Sequence, residues 1–192
     1  MNIRKAERKL SKIKMAIQGP SGSGKTYSSL LIAYGLIGDY SKICVLDTES
    51  GSADLYAHLG GYSVIQISKP YTPESYLKAL ELAEKEGFNC IIIDSLSHCW
   101  QYLIEYHASL SGNSFTNWSK ITPRLNCLIN SILSSPAHII STLRVKQDYV
   151  LQDKGSGKLV PEKVGLKSIQ REGVDYEFTL VFDLDIYHYA SC

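Results

Sequence analysis

The chain has 192 residues, of which 44% are hydrophobic and 20% are charged. This composition is typical of one globular domain with a large core, and it excludes a disulfide-stapled miniature and a disordered chain. The 20 Lys and Arg residues are balanced by 19 Asp and Glu residues, which gives a net charge of +1. A uniformly cationic nucleic-acid-binding protein is therefore excluded, whereas a local basic patch is not.

Residues 1–12 are a basic N-terminal lead-in, which is either solvated or in contact with a nucleic acid. No apolar segment of a secretory signal follows it, and no apolar run reaches the roughly 18–20 residues that cross a membrane. The five cysteines include no CxxC pair, and the five histidines show no metal-ligand spacing. We therefore expect a cytoplasmic protein without membrane contact, disulfides or a Cys/His metal site.

From residue 13 onward, short aliphatic runs alternate with amphipathic patterns. Strands are predicted at residues 13–18, 42–47, 64–68, 90–94, 138–142 and 178–185, and helices at residues 25–37, 73–87, 100–107 and 122–133. Apolar strands between amphipathic helices predict an α/β fold with a central, mostly parallel sheet flanked by helices on both faces. Right-handed crossovers then bring the carboxyl ends of the strands to one edge, where ligands bind.

The periodic pattern stops between residue 143 and about residue 177. The middle of this segment reads Lys154-Gly155-Ser156-Gly157-Lys158. A segment of this length without regular structure is usually functional or mobile. We therefore expect one α/β domain over residues 13–192 that contains a mobile basic segment at about 143–177.

The most specific motif lies between the first predicted strand and the first predicted helix. It consists of Gly19, Pro20, Ser21, Gly22, Ser23, Gly24, Lys25 and Thr26, and it fills every fixed position of GxxxxGK[ST]. Its glycines let backbone amides surround phosphate oxygens, and the helix N-terminus adds partial positive charge. Lys25 is expected to reach the β- and γ-phosphates, Thr26 is expected to ligate Mg²⁺, and Tyr27 completes the nucleotide-binding segment.

Three polar residues follow predicted strands on the same edge. Asp94 is expected to hold Mg²⁺ through a water, in the way of a Walker B aspartate, or else to cap a helix. Many ATPases carry a glutamate after that aspartate, but Ser95 stands there, so Glu49 is the candidate for orienting the attacking water. Glu49 has the alternative of being a loop or cap carboxylate. Thr142 either senses the γ-phosphate or makes ordinary strand-end hydrogen bonds.

The order GPSGSGKT, VLDTE, IIIDS and HIISTLRVK resembles RecA-like recombination ATPases across residues 13–185. It is more closely similar to short phage-encoded P-loop ATPases of that superfamily. The resemblance implies ATP and Mg²⁺ as cofactors, a homo-oligomer, and action on single-stranded DNA in recombination or replication. It also implies a single-strand annealing or binding protein as a further partner, and the cytoplasm of a bacterial host cell as the location.

The same resemblance assigns roles by position. Glu49 matches the catalytic glutamate at the end of the second strand, and Asp94 matches the Walker B acid. Thr142 stands where RecA has a glutamine that couples the nucleotide to its DNA-binding loop, and this chain departs from RecA at that position. Lys25, Glu49, Asp94 and Thr142 are thus the predicted catalytic set.

The segment from Arg144 to Arg171 carries seven basic and three acidic residues. Its candidate contacts are Arg144, Lys146, Tyr149, Lys154, Lys158 and Arg171, in which the cations would bind phosphates and the tyrosine would stack on a base. The segment is alternatively a solvated loop. As a third possibility, Arg144, Lys146 or Arg171 acts as a cationic finger at the γ-phosphate of a neighbouring subunit.

Two other functional classes remain open from the sequence. A nucleotide or small-molecule kinase also uses a GPSGSGKT loop, although only Arg144 and Arg171 are available as lid arginines. A nucleotide-dependent interaction switch with little turnover would keep the phosphate-binding loop and would not need Glu49.

Overall fold

The computed structural model describes residues 4–5, 11–153 and 159–192. Its strands are β1 Lys14–Gly19, β2 Ile43–Asp47, β3 Ser63–Gln66, β4 Cys90–Asp94, β5 His138–Asp153, β6 Leu159–Ser168, β7 Leu180–Leu184 and β8 Ala190–Ser191. Its α-helices are α1 Lys25–Ile37, α2 Pro73–Lys85, α3 Ser97–Ser109 and α4 Ser114–Ser134. Short 3₁₀ helices cover Tyr40–Lys42, Ser52–Leu59 and Val174–Glu177.

A mostly parallel sheet forms the centre of the fold, with the strand order β3-β2-β4-β5-β1-β7-β8. The first six of these strands pair in parallel, and β8 pairs antiparallel with β7 at the edge. The register sets Gly19 of β1 opposite Arg144 of β5, and Asp47 of β2 opposite Asp94 of β4. The α/β fold predicted from the sequence is confirmed, and one edge of the sheet collects the predicted site residues.

The core has two layers because the helices cover both faces of the sheet. Along β4, Ile91 and Ile93 pack with α2, α3 and α4, whereas Cys90 and Ile92 pack with α1 on the opposite face. Successive side chains of a strand point to opposite faces, so a strand covered on both sides is apolar at every position. This explains the unbroken aliphatic run that precedes Asp94.

Two helices show how local sequence sets the boundaries. The predicted bounds of α1 are confirmed, and Gly38 ends the helix with a φ of 74°. The predicted start of the last helix near residue 122 is wrong, because α4 begins at Ser114 and contains Pro123 in its interior. Asn113 caps it by accepting a hydrogen bond from the amide of Phe115 at 2.8 Å.

The segment after residue 142 is more regular than the sequence indicated. β5 continues through Asp153 and pairs antiparallel with β6, with an irregularity between Asp148 and Tyr149. The expectation of a segment without regular structure over 143–177 is therefore wrong for both strands. A two-stranded ribbon satisfies its backbone groups by pairing, so it needs no periodic apolar face. Residues 154–158 lie outside the described part.

Other expectations concern what the chain does not contain. In the described part, no helix is long and apolar enough to span a membrane. Within the same ranges, no group of three or more His, Cys, Asp or Glu side chains is arranged to hold a metal ion. The thiols of Cys44, Cys90 and Cys99 are free and buried, and burial raises the pKa of each to about 12.

Candidate functional site

A cavity of about 1010 Å³ opens at the edge of the sheet where the core strands end. Predicted site residues that line it are Ser21, Gly22, Ser23, Gly24, Lys25, Thr26, Tyr27, Glu49, Asp94 and Arg144. Leu31, Ser52, Tyr56 and His188 are among its other lining residues. The P-loop and the predicted acidic residues therefore share one cavity.

The P-loop has the backbone shape that a phosphate cradle requires. Gly22 and Gly24 have φ values of 80° and 89°, in the left-handed region where a side chain is strained. A Cβ at Gly19 would lie 2.6 Å from both the carbonyl oxygen of Leu184 and Oγ of Ser23, so the loop is held tightly against β7. Oγ of Ser23 is buried without a hydrogen-bond partner in the described part. The loop thus leaves a polar group unsatisfied beside the cavity.

Lys25 is held inside the loop. Its Nζ donates hydrogen bonds to the carbonyl oxygens of Gly19 at 2.9 Å and Pro20 at 2.7 Å. Burial lowers the pKa of Lys25, and the negative charges of Asp94 and Glu49 oppose that shift. Phosphate oxygens in the cavity would give this ammonium the anionic partner that the two carbonyl groups do not supply.

Asp94 is fixed by hydroxyl groups from two other elements. Thr142 Oγ1 donates to Oδ1 at 2.5 Å, and Thr26 Oγ1 donates to Oδ2 at 2.6 Å. Burial raises the pKa of Asp94, and these two hydrogen bonds only partly offset the increase. The alternative role as a helix cap is not observed, since α3 has Leu96 at its N-cap position and no side-chain cap. Thr142 therefore acts on Asp94.

The residues present fit a magnesium ion. Thr26 and Asp94 place hydroxyl and carboxylate oxygens side by side at the cavity wall, and Mg²⁺ prefers oxygen ligands. Protein sites for this ion usually combine one or two such groups with waters and substrate phosphates. The Thr26–Asp94 pair beside the phosphate-binding loop is a site of this kind.

The loop after β2 is shaped by its own aspartate. Asp47 accepts hydrogen bonds from the amides of Glu49 at 2.6 Å and Gly51 at 2.7 Å, one on each carboxylate oxygen. These bonds turn the chain sharply after the strand, as aspartates commonly do in turns. The turn directs Glu49 towards the cavity.

Glu49 forms a two-point ion pair with Arg144 at the base of the hairpin. Nε of Arg144 donates to Oε1 at 2.8 Å, and Nη2 of Arg144 donates to Oε2. Burial opposes the ionisation of Glu49, but the hydrogen bonds and the charge of Arg144 outweigh it and hold the pKa of Glu49 below its usual value. Sequence reasoning assigned Glu49 to the nucleotide, gave Arg144 as a DNA contact, a finger at a neighbouring subunit or a lid arginine, and did not pair the two. The strand register, which sets Arg144 of β5 opposite Gly19 of β1, brings the arginine to this edge.

A second cavity of about 700 Å³ lies on the other side of this ion pair. It shares Glu49, Gln101 and Arg144 with the first cavity, and its remaining lining includes Lys69, Tyr71, His98, Tyr102 and Glu105. Sequence reasoning missed His98, which lies near the start of α3, because its contacts are with residues that are distant in the sequence. The ion pair thus forms a common wall between the two cavities.

Contacts from the end of the chain also reach the P-loop. Nδ1 of His188, in the turn between β7 and β8, lies 3.1 Å from the carbonyl oxygen of Ser23. Tyr27 and Tyr56 also line the cavity, and the centroids of their rings lie 5.6 Å apart. Sequence reasoning identified Tyr27 but not the other two aromatic groups, which no local motif marks.

The remaining basic candidates are dispersed. Lys146 is exposed on β5, and Arg171 donates a hydrogen bond to Oδ1 of Asn126 at 3.0 Å. The side chain of Tyr149, and Lys154 and Lys158 as a whole, lie outside the described residues. Their predicted contacts stay predictions.

Replacing Asp94 with Asn is expected to stabilise the ligand-free protein. The raised pKa of Asp94 means that the folded protein holds the carboxyl proton more strongly than the unfolded chain does. Protonation of Asp94 therefore stabilises the folded state at low pH, and this contribution to the free energy of unfolding is lost as the pH rises through the native pKa. An amide carries no such penalty. A gain on the order of 1 kcal/mol corresponds to an increase in Tm of about 2–4 °C for a chain of this size.

The measurement is thermal unfolding of the wild type and Asp94→Asn between pH 4 and pH 7. The difference in Tm should grow with pH, whereas Asp54→Asn, an exposed position, should show little change. A Tm for Asp94→Asn at or below that of the wild type at pH 7 would contradict the assignment of buried, poorly compensated charge.

Comparison with known families places this geometry in context. A family model described as "AAA domain" matches residues 11–191. No curated protein matches the chain. The match covers nearly the whole chain and includes both the P-loop and the acidic residues of the cavity. The chain therefore belongs to the AAA domain family of P-loop ATPases.

Proposed function

We propose that this protein hydrolyses ATP to ADP and phosphate with Mg²⁺, and that Glu49 orients and deprotonates the attacking water. The observation that carries the proposal is the convergence of Lys25, the Thr26–Asp94 pair and Glu49 on one cavity. These elements supply a phosphate-binding cation, a set of oxygen ligands and a carboxylate base. ATPases commonly combine these three elements to hydrolyse a phosphoanhydride.

Each group has a distinct task. The loop amides and Lys25 bind the phosphates, while Thr26 and Asp94 hold the metal. When bound, Mg²⁺ neutralises charge on the β- and γ-phosphate oxygens. Thr142 keeps the Asp94 carboxylate oriented through its hydrogen bond of 2.5 Å. Water attacks the γ-phosphorus, its proton passes to Glu49, and the bond to the β-phosphate oxygen breaks.

Glu49 has to leave Arg144 before it can act as a base. A carboxylate held at both oxygens by a guanidinium has a lowered pKa and offers no free oxygen to water. Arg144 also lines the nucleotide cavity, where a γ-phosphate is a competing partner for the guanidinium. Binding of a triphosphate therefore favours separation of the pair, and a diphosphate does so less.

The resemblance of the sequence supports a more specific proposal. The protein is a RecA-like, phage-type ATPase that recognises adenine and works as a homo-oligomer on single-stranded DNA. It acts in a bacterial cytoplasm, with a single-strand annealing or binding protein as a partner. The β5–β6 hairpin supports this proposal because it leaves the sheet directly after Arg144 and carries the exposed Lys146. DNA bound to the hairpin would thus lie next to the nucleotide.

A phosphoryl-transfer enzyme is the second candidate, and one observation favours it. The second cavity lies against Glu49, so an acceptor hydroxyl bound there would face the base and, beyond it, the nucleotide. A phosphorylated acceptor instead of free phosphate as the product would support this alternative. A third candidate, a switch with little turnover, predicts nucleotide binding without a dependence on Glu49.

Replacing Glu49 with Gln tests the proposed base directly. Turnover should fall at least about 100-fold, because general-base catalysis typically contributes factors of 10²–10⁴. The affinity for ATP should not fall, because Glu49 does not bind phosphate in this scheme and its replacement releases Arg144 for the γ-phosphate. The measurements are phosphate release and binding of a fluorescent ATP analogue.

Glu81→Gln, at an exposed position on α2, is the matched control and should behave as the wild type. Equal turnover in Glu49→Gln and the wild type would exclude Glu49 as the base and leave the switch as the better candidate.

Single-stranded DNA should raise the rate of hydrolysis if the hairpin carries the proposed contacts. Lys146→Ala should then weaken binding of an oligonucleotide and reduce the slope of log K against log salt by about one. Lys85→Ala, at an exposed position on α2, serves as the control. Titrations of labelled oligonucleotide at several salt concentrations measure this. Saturating DNA without any effect on turnover or nucleotide affinity would contradict the DNA assignment but not the hydrolysis.

A further inference from the structure

His98 is fixed more firmly than an ordinary surface histidine. Its ring stacks on Tyr71, with centroids 5.0 Å apart and planes 14° from parallel, and Nδ1 lies 2.8 Å from Oγ1 of Thr48. The hydroxyl of Tyr71 donates in turn to the carbonyl oxygen of Thr48 at 3.1 Å. Stacking and the hydrogen bond at Nδ1 together determine where Nε2 points. It points at Glu49, with 3.9 Å between Nε2 and Oε1.

Two features favour a proton on Nε2 of this ring. Oγ1 of Thr48 accepts a hydrogen bond from the amide of Ser95 at 2.9 Å. Among the acceptors for its own proton, Nδ1 of His98 at 2.8 Å is nearer than the carbonyl oxygens of Asp94 at 3.1 Å and Ser95 at 3.3 Å. A hydroxyl that donates to Nδ1 leaves the proton of a neutral imidazole on Nε2. The facing carboxylate of Glu49 favours the same tautomer. Burial lowers the pKa of His98, which is consistent with a neutral ring.

Glu49 therefore has one bonded donor and a second donor nearby, on different elements. Arg144 on β5 holds it in the present structure, and His98 on α3 stands beside it. Asp94 on β4 and Lys25 on α1 are the other charged groups at the same cavity. A γ-phosphate that attracts Arg144 removes the first donor and leaves the second. A shift of Glu49 by about 1 Å brings the 3.9 Å separation into hydrogen-bond range.

We propose that His98 is a positioning residue that holds one carboxylate oxygen of Glu49 through Nε2–H after Arg144 has turned to the nucleotide. The other carboxylate oxygen then faces the attacking water. Glu49 exchanges one partner for another and does not become free to rotate. This role rests on the proposed hydrolysis. Glu49 is paired with Arg144 before the reaction and is oriented by His98 during it.

Replacing His98 with Phe tests the role because Phe keeps the stack on Tyr71 and removes both nitrogens. The expected kcat is about tenfold lower, since misorientation of a reacting group costs factors of this order or more. The KM for ATP should stay within about twofold, because His98 does not line the nucleotide cavity. His98→Gln places an amide donor near the position of Nε2 and should restore much of the lost rate.

The matched control is His107→Phe. His107 also stacks on an aromatic ring, with its centroid 4.2 Å from that of Trp118, and it lies away from both cavities. This variant should keep the kcat of the wild type. The Tm of each variant shows whether folding is affected.

A double-mutant cycle separates positioning from packing. In the Glu49→Gln background, His98→Phe should cause no further loss in single-turnover rate, because the group that it positions has been removed. Additive losses, an unchanged kcat in His98→Phe, or equal losses in His98→Phe and His98→Gln would each overturn the role. Absence of hydrolysis by the wild type would overturn the proposed function first, and this role with it.

Discussion

The parallel register of β1, β2, β4 and β5 is the constraint on which the site depends. It aligns Gly19 with Arg144 and Asp47 with Asp94 at the same edge of the sheet. No single segment of the chain contains these residues, which lie far apart in the sequence. A shift of one residue in the β4–β5 pairing would turn Thr142 to the opposite face and remove the hydroxyl that orients Asp94. Because these strands are apolar on both faces, an alternation of hydrophobic and polar residues does not fix that register.

Three carboxylates meet at this edge, and each is compensated in a different way. Asp47 accepts two backbone amides and serves the loop, whereas Glu49 is paired with a movable guanidinium. Asp94 has only two hydroxyl groups, which carry no charge, and burial raises its pKa. Asp94 is therefore the carboxylate that a bound cation would stabilise most. The Glu49–Arg144 pair differs, because a bound phosphate would compete with Glu49 for Arg144.

Sequence patterns predicted what is local and failed where the outcome depends on distant contacts. The P-loop and α1 follow from a motif with a strand before it and a helix after it, and Asp94 follows from the end of an aliphatic strand. The start of α4 was wrong because Pro123 is typical of a first helical turn, yet this helix accommodates it in the interior. The partners of Arg144 and His98 follow from side-chain geometry across several elements, which hydrophobic periodicity does not report.

The sixteen residues of β5 begin in the core sheet and end in the β5–β6 hairpin. Arg144 lies at the point where β5 leaves the sheet. The amide of Arg144 donates to Oγ of Ser97, and its carbonyl oxygen accepts from the amide of Ile169. The guanidinium is therefore attached to the backbone at the point where the core strand becomes the hairpin, and it is also paired with Glu49 at the cavity. A ligand on the hairpin and a phosphate in the cavity would thus both lie next to the same side chain.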